Sequence, residues 1–161
     1  MSARLTVVLI AATVLADQLS KAVALASLTL GTPVARVPGF NLALGFNEGS
    51  SFGMLSGVMV GKPLLMATLT GALTSVFAVL AFRSRVPLER VGFAFVTGGA
   101  LGNIVDRLPQ GAVTDFLDLY WRDWHWPTFN VADIAITFGA ACMLAASVPA
   151  RRRKESAYDQ G

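Results

Sequence analysis

Residues 63–82 carry no charged side chain at all. A helix crossing about 30 Å of hydrocarbon at about 1.5 Å per residue needs roughly 20 mostly apolar residues, and this stretch fits, with Pro63 at a first position where a missing N–H costs little. Three more stretches approach the same pattern: residues 5–28, apolar through Ala16 and then interrupted by Asp17, Gln18, Ser20 and Lys21; residues 90–108; and residues 131–149, the last two charged only toward their ends. With 54% hydrophobic and 14% charged residues and a mean hydropathy of +0.59, the chain has too little charge for an ordinary soluble domain. The expectation is a single all-α membrane domain of four transmembrane helices.

Basic residues orient such a bundle, because they are retained on the cytoplasmic side. If the helices alternate, Arg4, then Arg83, Arg85 and Arg90, then Arg151 to Lys154 share one side. Both termini are therefore expected in the cytoplasm, with loops 29–62 and 109–130 outside and 150–161 as a cytoplasmic tail. The net charge of +3 then orients the protein and implies no nucleic-acid partner, and the Arg151 to Lys154 run suits contact with anionic lipid. A cleavable signal peptide is the competing reading of the first helix, since Arg4 precedes an apolar run and Ala24-Leu25-Ala26 resembles a cleavage site, but Asp17 and Lys21 within the segment speak against it.

The outer loops have patterns of their own. Phe40, Leu42, Leu44 and Phe46 alternate with Asn41, Ala43, Gly45 and Asn47, predicting a half-buried strand. Phe52, Leu55 and Met59 recur at helical spacing and predict a short interfacial helix. Together these would form a small extracytoplasmic β-cradle or lid, with Gly45, Gly49 and Gly53 permitting movement. Tyr120, Trp121, Trp124 and Trp126 suit the headgroup level.

Ionisable groups at membrane depth cost about 2.5–3.5 kcal/mol each on insertion scales, so their placement asks for a reason. Asp17 and Lys21, one helical turn apart, Asn103, Asp106 and Arg107 at the end of the third helix, Asp115 in the outer loop, and Asn130 and Asp133 opening the fourth helix all arrive at the outer face. Each has a plain structural reading: an intrahelical ion pair for Asp17 and Lys21, mutual compensation for Asp106 and Arg107, an N-cap for Asn130 and Asp133, a solvated acid for Asp115. Their convergence from separate segments weighs against four coincidences.

Several chemistries are excluded by residue count. One cysteine, Cys142, makes no disulfide framework or thiolate cluster, and one histidine, His125, makes no paired-His zinc site; neither metal nor cofactor is expected. Gly49-Ser50-Ser51-Phe52-Gly53 spells G-x-S-x-G without the strand, turn and base that motif requires. A Ser–Lys dyad is disfavoured because Asp17 keeps Lys21 protonated. Gly98 and Gly102 read as helix packing.

Asp17-Gln18-Leu19-Ser20-Lys21, Asn47-Glu48-Gly49-Ser50-Ser51-Phe52, Gly99-Ala100-Leu101-Gly102-Asn103-Ile104-Val105-Asp106-Arg107, Val113-Thr114-Asp115-Phe116 and Phe129-Asn130-Val131-Ala132-Asp133 resemble, in order, the signature boxes of the bacterial lipoprotein signal peptidases (signal peptidase II). The resemblance implies an aspartyl endopeptidase of the cytoplasmic membrane that cuts prolipoproteins just before a diacylglyceryl-modified cysteine at the outer face. It maps the catalytic pair onto Asp115 and Asp133, binding or orienting roles onto Asn47, Asn103, Arg107 and Asn130, and supporting roles onto Asp17, Lys21 and Asp106. The implied partners are prolipoprotein substrates and membrane lipid, with the protein acting as a monomer. Within the pair, Asp133 at a helix N-terminus is expected to ionise more easily, leaving Asp115 with the shared proton. A proton-coupled transporter is the alternative, though it would need acids on both sides of the midplane.

Overall fold

The computed structural model describes residues 2–49 and 63–148. The expected interfacial helix at Phe52, Leu55 and Met59, the lid it would complete, most of the G-x-S-x-G stretch and the basic run at residues 151–154 lie outside the described residues. Four long helices dominate: α1 (Ala3–Ser27), α2 (Pro63–Arg83), α3 (Pro87–Gln110) and α4 (Val131–Ser147). Ser2 caps α1 by accepting the Leu5 N–H. A tight turn links α2 to α3, which opens on Pro87, where proline costs no hydrogen bond. α3 ends at Gly111, whose φ of +74° is the left-handed conformation that closes helices, with its N–H on the Arg107 carbonyl.

α3 is the central helix, packed on the other three. A Cβ on Gly98 would lie 2.7 Å from the Thr13 Cβ, and Gly102 lies against Asp17, so α1 and α3 run parallel. Gly92 meets Gly139 and Gly99 meets Ala132, so α4 runs against α3; a Cβ on Gly92 would stand 2.6 Å from the Gly139 carbonyl. Such approaches admit no larger side chain, which is the packing role expected of Gly98 and Gly102. Arg4, Arg83, Arg85 and Arg90 consequently gather at one end of the bundle, and Asp17, Asp106, Asp115 and Asp133 at the other.

The faces of α1 are inverted relative to a soluble helix: Thr6, Thr13, Asp17 and Lys21 are buried while Leu15, Leu19 and Val23 are 60% or more exposed. α1 is long and apolar enough to cross a membrane; over their described side chains α2 (as Ala67–Arg83) and α4 are apolar but shorter. Cys142 is a core residue.

At the acidic end sits an antiparallel sheet in chain order: β1 (Val34–Val37), β2 (Phe40–Asn47), β3 (Val113–Trp121) and β4 (Trp124–His125). Leu42 and Leu44 pack with Phe116 against Ala24 and Leu28 at the end of α1. The expected simple alternation of β2 fails beyond them. Before them Asn41 is buried against Asp118 on the opposite face in regular register, whereas after them Phe46 is exposed. The reason is a bulge: Leu42 pairs with Leu117 but Gly45 with Asp115, and the extra residue reverses which face the following side chains take.

Candidate active site

Three backbone elements deliver the two aspartates and most of the polar residues beside them, with Asn47 added by β2 and Asp17 and Lys21 by α1. The last turns of α3 carry Asn103, Asp106 and Arg107; β3 carries Asp115; and Asn130 with Asp133 form the first turn of α4. Asn130 is a true N-cap in a capping box: its Oδ1 accepts the Asp133 N–H at 3.0 Å and the Asp133 Oδ2 accepts the Asn130 N–H at 3.1 Å. The capping reading is therefore correct. It does not compete with a role in the site, because the Asn130 Nδ2 donates to the Asp115 Oδ1 at 2.7 Å. One fully buried residue thus holds both carboxylates.

The remaining contacts come from neutral amides. The Asn47 Nδ2 donates to the Asp115 Oδ2 at 3.2 Å, and the Asn103 Nδ2 to the Asp133 Oδ1 at 3.2 Å. Among the described residues no cation lies within ion-pair distance of either carboxylate. Asp115 is 2% exposed, and burial first, then the neighbouring Asp133 carboxylate, push its pKa up to about 7, against the opposing hydrogen bonds from Asn130 and Asn47 and the charge of Lys21. Beside Asp133 opens a groove of about 710 Å³ lined chiefly by apolar side chains, among them Leu119, Trp126, Phe129, Ile134 and Phe138.

Asp17 and Lys21 form the expected ion pair at 2.8 Å, but the ammonium also reaches Asp106 at 3.1 Å and the Asn103 Oδ1 at 3.0 Å. The expected compensation of Asp106 by Arg107 is not the arrangement found. Asp106 accepts instead from Lys21, from Gln18 at 3.0 Å and from the Thr114 N–H at 2.9 Å, while the Arg107 Nε is buried without a hydrogen-bond partner. The Arg107 charge acts on Asp115, Asp133 and Asp106 together. The physical reason is helical geometry: successive residues project about 100° apart, so Asp106 faces α1 and Arg107 does not.

Sequence reasoning missed Gln18, whose amide joins Asp17, Asp106 and the Gly102 carbonyl. It also missed a second polar cluster on the sheet, where buried Asp118 accepts from Asn41 at 2.9 Å and contacts the His125 Nδ1 at 2.8 Å, with Tyr120 stacked on the imidazole. The signal for Gln18 was present, since a third polar side chain beside an intramembrane acid wants a partner. For Asp118 no local signal existed.

Two carboxylates joined by one donor residue, with no cation among the described residues within ion-pair distance of either, suit a pair that shares a proton, one member acting as acid and the other as base on water. A family model described as signal peptidase (SPase) II matches residues 9–149. A lipoprotein signal peptidase of Polynucleobacter necessarius is 40% identical over 132 residues, covering 81% of this chain and 80% of its own. That of Symbiobacterium thermophilum is 38% identical over 141 residues, covering 86% and 91%. In fold the chain is similar to two solved bacterial membrane enzyme structures, obtained by the in meso method at 2.3 and 1.9 Å resolution. Their TM-scores are 0.78 and 0.79 at 24% identity, covering 89% and 92% of this chain and 87% and 95% of those. The match over nearly the whole length, by relatives identical at 38–40% of the aligned residues, places this chain in the signal peptidase II family of aspartic peptidases, the lipoprotein signal peptidases.

Proposed function

We propose that Asp115 and Asp133 are the catalytic pair with which this lipoprotein signal peptidase hydrolyses its prolipoprotein substrates. The observation that carries the reading is the shared donor: Asn130 holds the Asp115 carboxylate through its amide and the Asp133 carboxylate through its backbone N–H. Asp133, held by two donors at a helix N-terminus, is the ionised base that takes a proton from water. Asp115, pushed up to about 7 by burial and by Asp133, keeps the shared proton and gives it to the scissile carbonyl. The intermediate collapses as Asp133 passes the proton it took from water to the leaving amine and Asp115 takes one back from a hydroxyl of the intermediate, so the C–N bond breaks and the pair returns to its singly protonated state. Asn47, Asn103 and Asn130 orient the carboxylates. Arg107, whose Nε lacks an internal partner, meets a substrate carbonyl.

All four helices cross the bilayer as one domain in this reading, with both termini in the cytoplasm. Its support is the collection of Arg4, Arg83, Arg85 and Arg90 at the end opposite the acids, together with the apolar outer face of α1. The pair then lies at the outer interface, where a spanning signal peptide presents the bond before a diacylglyceryl-cysteine. The apolar groove beside Asp133 receives the hydrophobic part of that substrate, and surrounding lipid is the second partner. The transporter alternative has no support from the peptidase relatives and is set aside.

The test is cleavage of a diacylglyceryl-modified prolipoprotein by purified wild type, Asp115→Asn and Asp133→Asn in detergent. Loss of at least about a hundredfold in kcat for both folded variants is expected, in line with removal of a general acid or base. Normal turnover by either variant would falsify the assignment.

A further inference from the structure

A buried ammonium stands between the two backbone segments that carry the aspartates. Lys21, 2% exposed, spends its three protons on Asp17 at 2.8 Å, Asp106 at 3.1 Å and the Asn103 Oδ1 at 3.0 Å. Each acidic partner also grips a backbone amide. The Asp106 Oδ2 accepts the N–H of Thr114, the residue directly before Asp115, at 2.9 Å. The Asp17 Oδ1 accepts the N–H of Ala132, the residue directly before Asp133, also at 2.9 Å. Gln18 closes the ring on the far side by donating to both acids.

From this symmetry we propose that Lys21 is a positioning residue of the peptidase reaction, its ammonium tying the chain just ahead of Asp115 to the chain just ahead of Asp133 and thereby fixing how the two carboxylates face each other. The inference rests on the reading of those aspartates as the catalytic pair. Packing of α1 on α3 needs no such device, since Gly98 and Gly102 already bring the two backbones together. Burying three charges is expensive, and what this cluster reaches that helix packing does not is β3 on one side and the α4 N-terminus on the other. A third connection runs through Asn103, which accepts from Lys21 and donates to Asp133. The ammonium also favours the ionised form of Asp115 from a distance.

The experiment uses the full-length protein in detergent with a diacylglyceryl-modified substrate peptide, comparing wild type, Lys21→Gln, Asp106→Asn and Asp115→Asn. For each, kcat and KM are measured between pH 5 and 9 per folded molecule, beside thermal unfolding. Lys21→Gln is expected to lower kcat by more than about tenfold at little changed KM, the scale of a misaligned acid–base pair, and to move the alkaline limb of kcat/KM to higher pH, because Asp115 loses a favourable charge. Asp106→Asn keeps an acceptor for Thr114 but loses the ion pair, so it should also lower kcat, by less. It decides the matter if Lys21→Gln does not fold. A normal kcat, or a loss without movement of the limb in folded Lys21→Gln, makes Lys21 merely structural and overturns the inference; so does a normal kcat in Asp106→Asn where that variant decides. If Asp115→Asn cleaves normally, the catalytic reading itself fails; if it is inactive while Lys21→Gln is normal, only the positioning role does.

Discussion

Asp17 and Asp115 are almost equally hidden, at 0% and 2% exposed, and they belong to one hydrogen-bonded network, yet buried charge is handled in opposite ways around them. Asp17 has the Lys21 ammonium at 2.8 Å, the Gln18 amide and the Ala132 N–H, so its negative charge is answered by a positive one. Asp115 has two neutral amides and another carboxylate nearby. A compensated acid fastens elements together. An uncompensated one holds on to a proton, and a proton held near neutral pH is available to chemistry. Burial alone therefore does not separate the proposed catalytic acid from a fastening one in this protein; a cation within ion-pair distance does.

The largest effect that can break this comparison is on stability. Asp17→Ala leaves Lys21 short of a partner and frees the Ala132 N–H, and removing one member of a buried ion pair costs about 3–5 kcal/mol, so thermal unfolding should move far down. Asp115→Asn should remain folded, since it replaces a carboxyl that already holds a proton near neutral pH. If Asp115→Asn unfolds and Asp17→Ala does not, the distinction is wrong.

The next effect sharpens it through pH. The folded-state pKa of Asp115 is raised to about 7 above an unfolded value of about 3.9, so between these limits the folded protein binds more protons than the unfolded chain. Its contribution to stability is complete below about pH 4 and is lost as pH rises toward 7, with a slope of up to about 1.4 kcal/mol per pH unit. The difference in unfolding free energy between wild type and Asp115→Asn, measured by denaturant titration from pH 4 to 8, should follow that trend. A difference independent of pH would mean Asp115 is ionised throughout.

A smaller change probes the compensated side. A Cβ on Gly102 would collide with the Asp17 carboxylate and stand 3.0 Å from its Cγ, so Gly102→Ala should cost about 1–3 kcal/mol by overpacking, read as a lower unfolding midpoint. The smallest change concerns a third buried acid, Asp118, which His125 and Asn41 satisfy on the sheet. Asp118→Asn should cost at most about 1 kcal/mol for weakened hydrogen bonds and leave prolipoprotein cleavage intact. A lost activity there would extend the catalytic network to the sheet.

The places where reading the sequence fell short have a common cause. Asp106 was assigned to Arg107 because they adjoin in the chain, whereas its partners Lys21 and Gln18 lie on another helix. Nothing beside Asp118 in the chain marks it, because Asn41 and His125 reach it only through β2 and β4. The alternation in β2 held only as far as a bulge that no residue pattern announced. Conversely, the Asn130–Asp133 cap was legible because a capping box is built within four residues.

By itself the sequence determined what local rules govern: the apolar runs that become helices, the end of each at which charge collects, the glycines that let α3 lie against its neighbours, and five short motifs sufficient to suggest the family. Only the tertiary structure decided which buried acids are answered by a cation and which are not. The Ala132 N–H is held by Asp17 and the Thr114 N–H by Asp106, contacts between segments whose separation in the chain carries no signal of their meeting. A carboxylate's proton affinity is set within a few ångströms, and those few ångströms are filled here by residues from α1, α3, the sheet and α4 together.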